Sequence, residues 1–222
     1  QDESPRVRSL AALALRSFSP SATMPALLKM LDENETNDSV VRHSASVALS
    51  RISESLLVTQ GLPEASPAAR MGITLALRRQ KSKELARLLD DPEPLIVLEA
   101  ARGIHDEEII AALPQLAALA DQPMPSGDDG LTDALVRRVM NANFRLGQKE
   151  HAERVVKFAT SASLSESLRV EALEELKMWD APSPLDRVLG AWRPIAEKRD
   201  AGFIANLLRS QLGGIISGGE SI

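Results

Sequence analysis

The sequence predicts an all-α protein, a right-handed α-α superhelix (armadillo-type α-solenoid) of about six helical hairpins with a C-terminal capping helix. Hydrophobic residues make up 44% of the chain, but aromatic residues only 3%, which favours closely packed helices over β-sandwiches. Apolar residues recur at helical spacing, and the sequence repeats itself about every 30 residues. We therefore predict one repeat domain over residues 1–212 and a flexible Gly/Ser-rich tail over residues 213–222.

The clearest predicted hairpin spans residues 89–121. Residues 90–92, Asp-Asp-Pro, provide a helix start, and Pro94 fits the first helical turn, where its missing N–H would have no partner. The polar residues 105–108 are predicted to separate this helix from a second one and to cap it. The second helix carries one apolar stripe at i, i+3, i+4 and i+7 spacing, formed by Ile109, Ala112, Leu113, Leu116 and Ala120.

Copies of the first helix recur along the chain. Residues 6–15 match residues 40–49 at an offset of 34, and a third copy, residues 69–77, follows after 28 more. Residues 139–147 and 168–176 are looser copies. The second helices are less regular: that of repeat two, near residues 53–60, is predicted to be short, and that of repeat six to run through Leu185, Val188, Leu189 and Trp192. A last amphipathic helix over residues 202–212 is expected to cap the array.

The recurring pattern Val-Arg-x-x-Ala-Ala-x-Ala-Leu resembles HEAT repeats, particularly the short HEAT-like type of phycobilisome lyases. In HEAT repeats, Arg and Asp side chains form a hydrogen-bonded ladder between layers. The resemblance places such an Arg ladder at Arg8, Arg42, Arg70 and Arg169. The alternative is that these side chains face a ligand.

The composition and the motifs exclude several classes of function. A net charge of −5 and a pI near 5.4 argue against a general nucleic-acid binder, which needs a positive field. The absence of cysteine excludes disulfides, thiol catalysis, Cys-ligated zinc and covalent haem attachment. The three histidines, His43, His105 and His151, lack metal-site spacing, and no apolar run is long enough to span a membrane. We therefore predict no catalytic residue, cofactor site or metal site in this segment.

Partner contacts are predicted in two places. The loop over residues 121–130 is the longest irregular segment and presents Asp128 and Asp129. Trp179 and Trp192 offer large apolar surfaces that either seal the end of the array or contact a partner. The densest basic run, Arg78, Arg79, Lys81, Lys83 and Arg87, resembles the basic groove of HEAT-like DNA glycosylases. A glycosylase or phycobilin-lyase-like protein is therefore the alternative function.

Residues 89–106, 135–147 and 168–194 resemble the HEAT-repeat region of PVC-type haem-binding proteins, also described as membrane-bound dehydrogenases. In that family a β-propeller precedes the repeats and a c-type cytochrome domain follows them. The resemblance implies a fragment of a larger redox protein, a periplasmic or extracytoplasmic location, and a spacer role. The sequence alone leaves the compartment undetermined. Our prediction is a non-catalytic helical scaffold or protein-interaction module whose partners are neighbouring domains or another chain.

Overall fold

The computed structural model describes residues 2–35, 37–123, 130–197, 199 and 201–217 of the chain. All regular elements in these ranges are helical, which confirms the predicted all-α class. The chain divides into two compact units, Gln1–Ala112 and Leu113–Ile222, where the sequence predicted one continuous domain. The boundary lies within the second helix of the hairpin predicted over residues 89–121. None of the described helices has the length and apolar character needed to cross a membrane.

In its described residues the first unit contains helices α1 to α6, three 3-10 segments and one π-helical turn. The helices are α1 (Pro5–Ala14), α2 (Pro20–Asn34), α3 (Ser39–Leu49), α4 (Glu54–Leu56), α5 (Pro67–Arg79) and α6 (Pro94–Asp106). The shorter 3-10 segments are Leu15–Ser17, Lys83–Asp90 and Ile110–Ala112. Helices α1, α3, α5 and α6 pack side by side in that order, while α2 packs on α3 and α5. The four side-by-side helices contain the first four sequence copies.

Local sequence explains where these helices begin. Proline occupies the first turn of α1, α2, α5 and α6, where no N–H is required. The Asp38 carboxylate accepts hydrogen bonds from the backbone N–H groups of Val40 and Val41, and the Ser66 hydroxyl accepts one from Ala69. These contacts satisfy N–H groups that lack partners inside the helix. The residues next to each helix N-terminus therefore determine where these helices begin.

The helical segments between α3 and α5 and between α5 and α6 are short, as predicted for repeat two. Helix α4 is followed by a π-helical turn, Leu57–Gly61, and not by a regular second helix. In repeat three, Leu85, Leu88 and Leu89 are buried on a 3-10 segment that packs on α6. The predicted break at residues 105–108 is displaced, because His105 and Asp106 complete α6 and the backbone turns at Glu108 with φ of 55°.

The second unit contains α7 (Leu113–Ala118), α8 (Gly130–Leu146), α9 (Lys149–Thr160), α10 (Glu166–Lys177) and α11 (Ala201–Ser217). Helix α7 packs on α8, α8 on α9 and α9 on α10, and α10 also packs on α8. Helix α11 packs on α9. It includes the predicted helix over residues 202–212 and continues to Ser217, so the first five residues of the predicted tail are helical. Residues 218–222 lie outside the described ranges.

The second helix predicted for repeat six is wrong. Leu185 and Trp192 instead form an isolated antiparallel bridge. Between them the Asp186 carboxylate accepts hydrogen bonds from the backbone N–H groups of Val188 and Leu189, and Gly190 adopts a φ of +66°. An aspartate that binds the backbone two and three residues ahead stabilises a turn in place of a helix. The apolar spacing of this segment was therefore misleading.

Candidate binding groove

A cationic cavity of about 550 Å³ lies in the first unit, across helices α3 and α5. Its lining residues are Ser39, Arg42, His43, Ser46, Leu75, Arg78, Arg79 and Glu107. The helices bring Arg42 and His43, one turn into α3, beside Arg78 and Arg79 at the end of α5. A volume of this size lies within the range of small-ligand and peptide pockets.

The arginines of this cavity differ in their partners. The Arg78 guanidinium donates to Glu99 at 2.6 Å and to Glu107 at 3.3 Å, so its charge is compensated. Within the described residues, Arg42 and Arg79 form no ion pair with a carboxylate. Two guanidinium groups from adjacent helices therefore face the cavity with uncompensated charge.

His43 adds a hydrogen-bond donor to the same cavity. One guanidinium nitrogen of Arg79, Nη2, lies 3.5 Å from Nδ1 of the exposed His43 ring. Because a guanidinium can only donate, the tautomer that accepts this contact at Nδ1 is the one with its proton on Nε2. In that tautomer Nε2 is a donor for a bound anion.

A second cavity of about 300 Å³ continues the first along α5 towards α6. Arg42 and Leu75 line both cavities. The walls of the second are mainly apolar, formed by Pro67, Ala68, Met71, Leu95, Ile96 and Leu98. Its rim carries the exposed carboxylates of Glu35 and Glu93, and the ion pair of Glu99 with Arg102 also lines it. We call the two cavities together the α3–α6 groove. The first cavity, with Arg79 and His43, is its cationic end, and the rim of the second is its acidic end; Arg42 and Leu75 lie where the two cavities join.

The four arginines predicted as a ladder occupy different environments. Arg70 forms a two-pronged ion pair with Asp91, with its Nε 2.7 Å from Oδ2 and its Nη2 3.1 Å from Oδ1. Arg169 donates to the backbone carbonyl of Ala159 at 3.3 Å. The Nε of Arg8 is buried without a hydrogen-bond partner in the described residues, and Arg42 faces the groove. The ladder across all four positions stays a prediction.

We expect Arg70→Ala to lower the free energy of unfolding by about 2–3 kcal/mol, because it leaves the Asp91 carboxylate without its partner. The side chain of Asp91 is only 6% exposed. Arg42→Ala should change the free energy of unfolding by less than about 0.5 kcal/mol, because no carboxylate depends on Arg42. Urea denaturation of both variants measures the difference. Equal destabilisation by the two substitutions would assign Arg42 to a structural ladder.

The basic run predicted as a nucleic-acid contact is largely neutralised within the first unit. Arg78 pairs with Glu99 and Glu107, Lys81 lies 3.7 Å from Glu107, and Arg87 pairs with Glu84 at 2.6 Å. The remaining cation at the end of α5, Arg79, faces the groove. These pairings reduce the positive field that a nucleic-acid backbone requires.

The two tryptophans predicted as partner contacts differ in their exposure to solvent. Trp179 is 2% exposed, and its ring meets Phe144 edge to face at 5.6 Å between centroids. The Arg199 guanidinium lies 4.9 Å from both ring centroids, which favours burial of this aromatic pair. Trp179 is therefore a core residue and not a surface contact. Trp192 is 72% exposed and stays a predicted partner contact, while Asp128 and Asp129 lie outside the described residues.

A buried carboxyl group in the second unit was missed by the sequence analysis. Glu175 on α10 is 1% exposed, and its Oε1 accepts a hydrogen bond from Asn141 Nδ2 at 3.0 Å. Burial raises the pKa of Glu175 to about 8. Because a side chain enclosed to this degree cannot touch a substrate, Glu175 is a structural group. The spacing of 34 residues between Asn141 and Glu175, equal to the first repeat offset, is the signal that could have revealed it.

The described part of the chain brings no three His, Asp or Glu side chains together in a way that could hold a metal ion. His105 is buried and its Nδ1 lies 2.9 Å from Asp106. His151 is buried near Arg154 and Arg199, and burial lowers its pKa.

Comparison of this chain with known protein families, with curated proteins and with solved structures found no match. The α3–α6 groove is therefore interpreted from its own geometry.

Proposed function

We propose that this chain is a non-catalytic helical-repeat module that binds an extended segment of a partner protein in the α3–α6 groove. The observation that carries the proposal is the continuity of the two cavities across three neighbouring helices. A groove lined by consecutive helices presents a long, shallow surface, which suits an extended chain better than a compact metabolite.

Side-chain pairs separated by one sequence period support the repeat architecture. Arg137 Nε lies 2.8 Å from Glu171, 34 residues ahead, and the same interval separates Ser66 from Asp32. Gln80 donates to the carbonyl of Ile52, 28 residues earlier. These intervals equal the two offsets found in the sequence. They favour an α-solenoid, because in such a fold each hairpin contacts its sequence neighbour.

The resemblance to the repeat region of PVC-type haem-binding proteins suggests neighbouring domains of a redox protein as partners. In this role the module holds or docks an adjacent segment while the redox chemistry takes place elsewhere. The DNA glycosylase alternative is disfavoured by the ion pairs of Arg78, Lys81 and Arg87, which leave few cations for a phosphate backbone.

The test is selection of random 12-residue peptides displayed on phage, followed by affinity measurement with fluorescent peptides. We expect enriched peptides with micromolar dissociation constants. Leu95→Glu should weaken them at least tenfold, because Leu95 lines the apolar part of the groove and is 52% exposed. A carboxylate in the first turn of α6 is compatible with the helix dipole, so the fold should be retained.

The matched control is Ile110→Glu, which makes the same kind of change at a residue that is 61% exposed and outside the groove. It should leave peptide affinity unchanged. Failure to enrich any peptide, or equal weakening by both variants, would contradict the proposed function.

A further inference from the structure

We infer that the α3–α6 groove selects a peptide of mixed charge: an acidic group in the first cavity beside Arg42 and Arg79, apolar residues along the middle, and a basic group in the second cavity beside Glu35 and Glu93. This inference rests on the proposed function and names the chemistry of the partner segment. It follows from the unequal distribution of paired and unpaired charges along the groove.

The cationic end is built from Arg79 and His43, and Arg42 lies beside them at the junction of the two cavities. Arg42 is half-buried on α3, and in the described residues neither it nor Arg79 has a carboxylate partner. A partly desolvated guanidinium loses hydration, and a bound carboxylate restores the lost interactions. The nearby carboxylate of Glu107 does not serve this purpose, because Arg78 and Lys81 already compensate its charge.

The middle of the groove offers apolar contact. Leu75 lies where the two cavities join, and Met71 and Leu95 line the wall beyond it. Methionine adapts its shape to different side chains, which suits a surface that binds an extended segment. Burial of apolar peptide side chains here supplies affinity, whereas the charges at the two ends supply direction and specificity.

The opposite end is acidic. Glu35 and Glu93 are exposed on its rim, and neither forms an ion pair in the described residues. Glu99, deeper in the groove, is different because Arg78 and Arg102 compensate it at 2.6 and 3.6 Å. The rim carboxylates are therefore available to a lysine or arginine of the bound segment, and they repel a second acidic group.

Four synthetic fluorescent peptides test this inference. All share one apolar centre, and their ends are respectively acidic and basic, both acidic, both basic, or both neutral. Fluorescence anisotropy at low salt should give the tightest binding for the mixed-charge peptide, at least tenfold tighter than for the peptide with two basic ends. Raising the salt concentration should reduce this difference, because screening weakens exposed charge pairs.

Charge reversal at the cationic end provides the decisive variant. Arg42→Glu/Arg79→Glu should bind the peptide with two basic ends more tightly than the mixed-charge peptide, reversing the preference of the wild type. The control, Arg16→Glu/Arg51→Glu, makes the same change in net charge at two exposed arginines outside the groove. It should keep the wild-type preference. Circular dichroism of each variant confirms that the helices are retained.

The outcomes separate this inference from the proposed function. Equal affinity for all four peptides, with weakening by Leu95→Glu, would overturn the charge assignment and retain the groove as a peptide site. No binding of any peptide would overturn both. A fluorescent single-stranded oligonucleotide that binds more tightly than the mixed-charge peptide, and loses affinity in Arg42→Glu/Arg79→Glu, would assign the cationic end to nucleic acid and overturn the inference.

Discussion

Replacing Glu175 with glutamine is expected to raise the free energy of unfolding at alkaline pH, by roughly 4 kcal/mol at pH 9. In the folded protein, burial raises the pKa of this carboxyl from an ordinary value of 4.5 to about 8. The Asn141 hydrogen bond to Oε1 partly opposes this shift. Glutamine keeps an oxygen for Asn141 and carries no titrating proton.

The number of protons bound in the folded and unfolded states decides whether the free energy of unfolding rises or falls with pH. Between pH 4.5 and pH 8, the folded state holds a proton on Glu175 that the unfolded chain has released. The wild type therefore loses stability as pH rises through this window and levels off above pH 8. Glu171 and Asp186 face the same site and strengthen the effect, whereas Arg187 opposes it. The stability difference between Glu175→Gln and the wild type should be small at pH 4.5 and grow to its full size by pH 9.

Urea denaturation at four pH values from 4.5 to 9 measures this difference. The control is Glu153→Gln, the same substitution at an exposed residue of α9, which should show no comparable trend. His151 also contributes pH dependence, because its lowered pKa reduces stability below about pH 6.5. That contribution is common to both proteins and cancels in the difference. A constant difference between Glu175→Gln and the wild type across the range would show that the carboxyl is not buried as described.

The sequence predicts those parts of the fold that depend on local chemistry. The prediction that Pro94 lies in a first helical turn is confirmed, because the effect of proline lies within one turn. Pro5 and Pro67 begin α1 and α5 in the same way. In repeat three the apolar residues Leu85 and Leu88 are buried although they lie on a 3-10 segment. Apolar spacing therefore relates to burial more closely than to helix type.

The groove could not be predicted because it depends on packing between distant residues. Arg79 and His43 are 36 residues apart, and their approach follows from the contact of α5 with α3. The basic run suggested one cationic surface, but the carboxylates that neutralise Arg78 lie 21 and 29 residues ahead on α6 and after it. Likewise, Trp179 is buried because Arg199 and Phe144 enclose it, which its position near the end of α10 does not reveal.

Helices α2 and α5 approach closely at Gly72, so substitutions there should change the free energy of unfolding strongly. A methyl group added at Gly72 would lie 2.4 Å from Leu31 Cδ1 and 3.2 Å from Cδ2, and Leu31 is fully buried. We expect Gly72→Ala to lower the free energy of unfolding by about 2 kcal/mol because of this overlap, although alanine has the higher helix propensity. Leu31→Ala alone should cost about 3 kcal/mol or more, because it leaves a cavity.

The double variant Gly72→Ala/Leu31→Ala should lose less free energy of unfolding than the two single variants lose in sum. The reason is that the methyl group at residue 72 enters the space that the leucine side chain leaves. A coupling energy of about 1–2 kcal/mol is expected from a double-mutant cycle measured by urea denaturation. Gly130→Ala is the control, since a methyl group there meets no atom within 4 Å, and it should be neutral or slightly stabilising. Strict additivity of Gly72→Ala and Leu31→Ala would contradict direct contact, because residues that do not touch show little coupling.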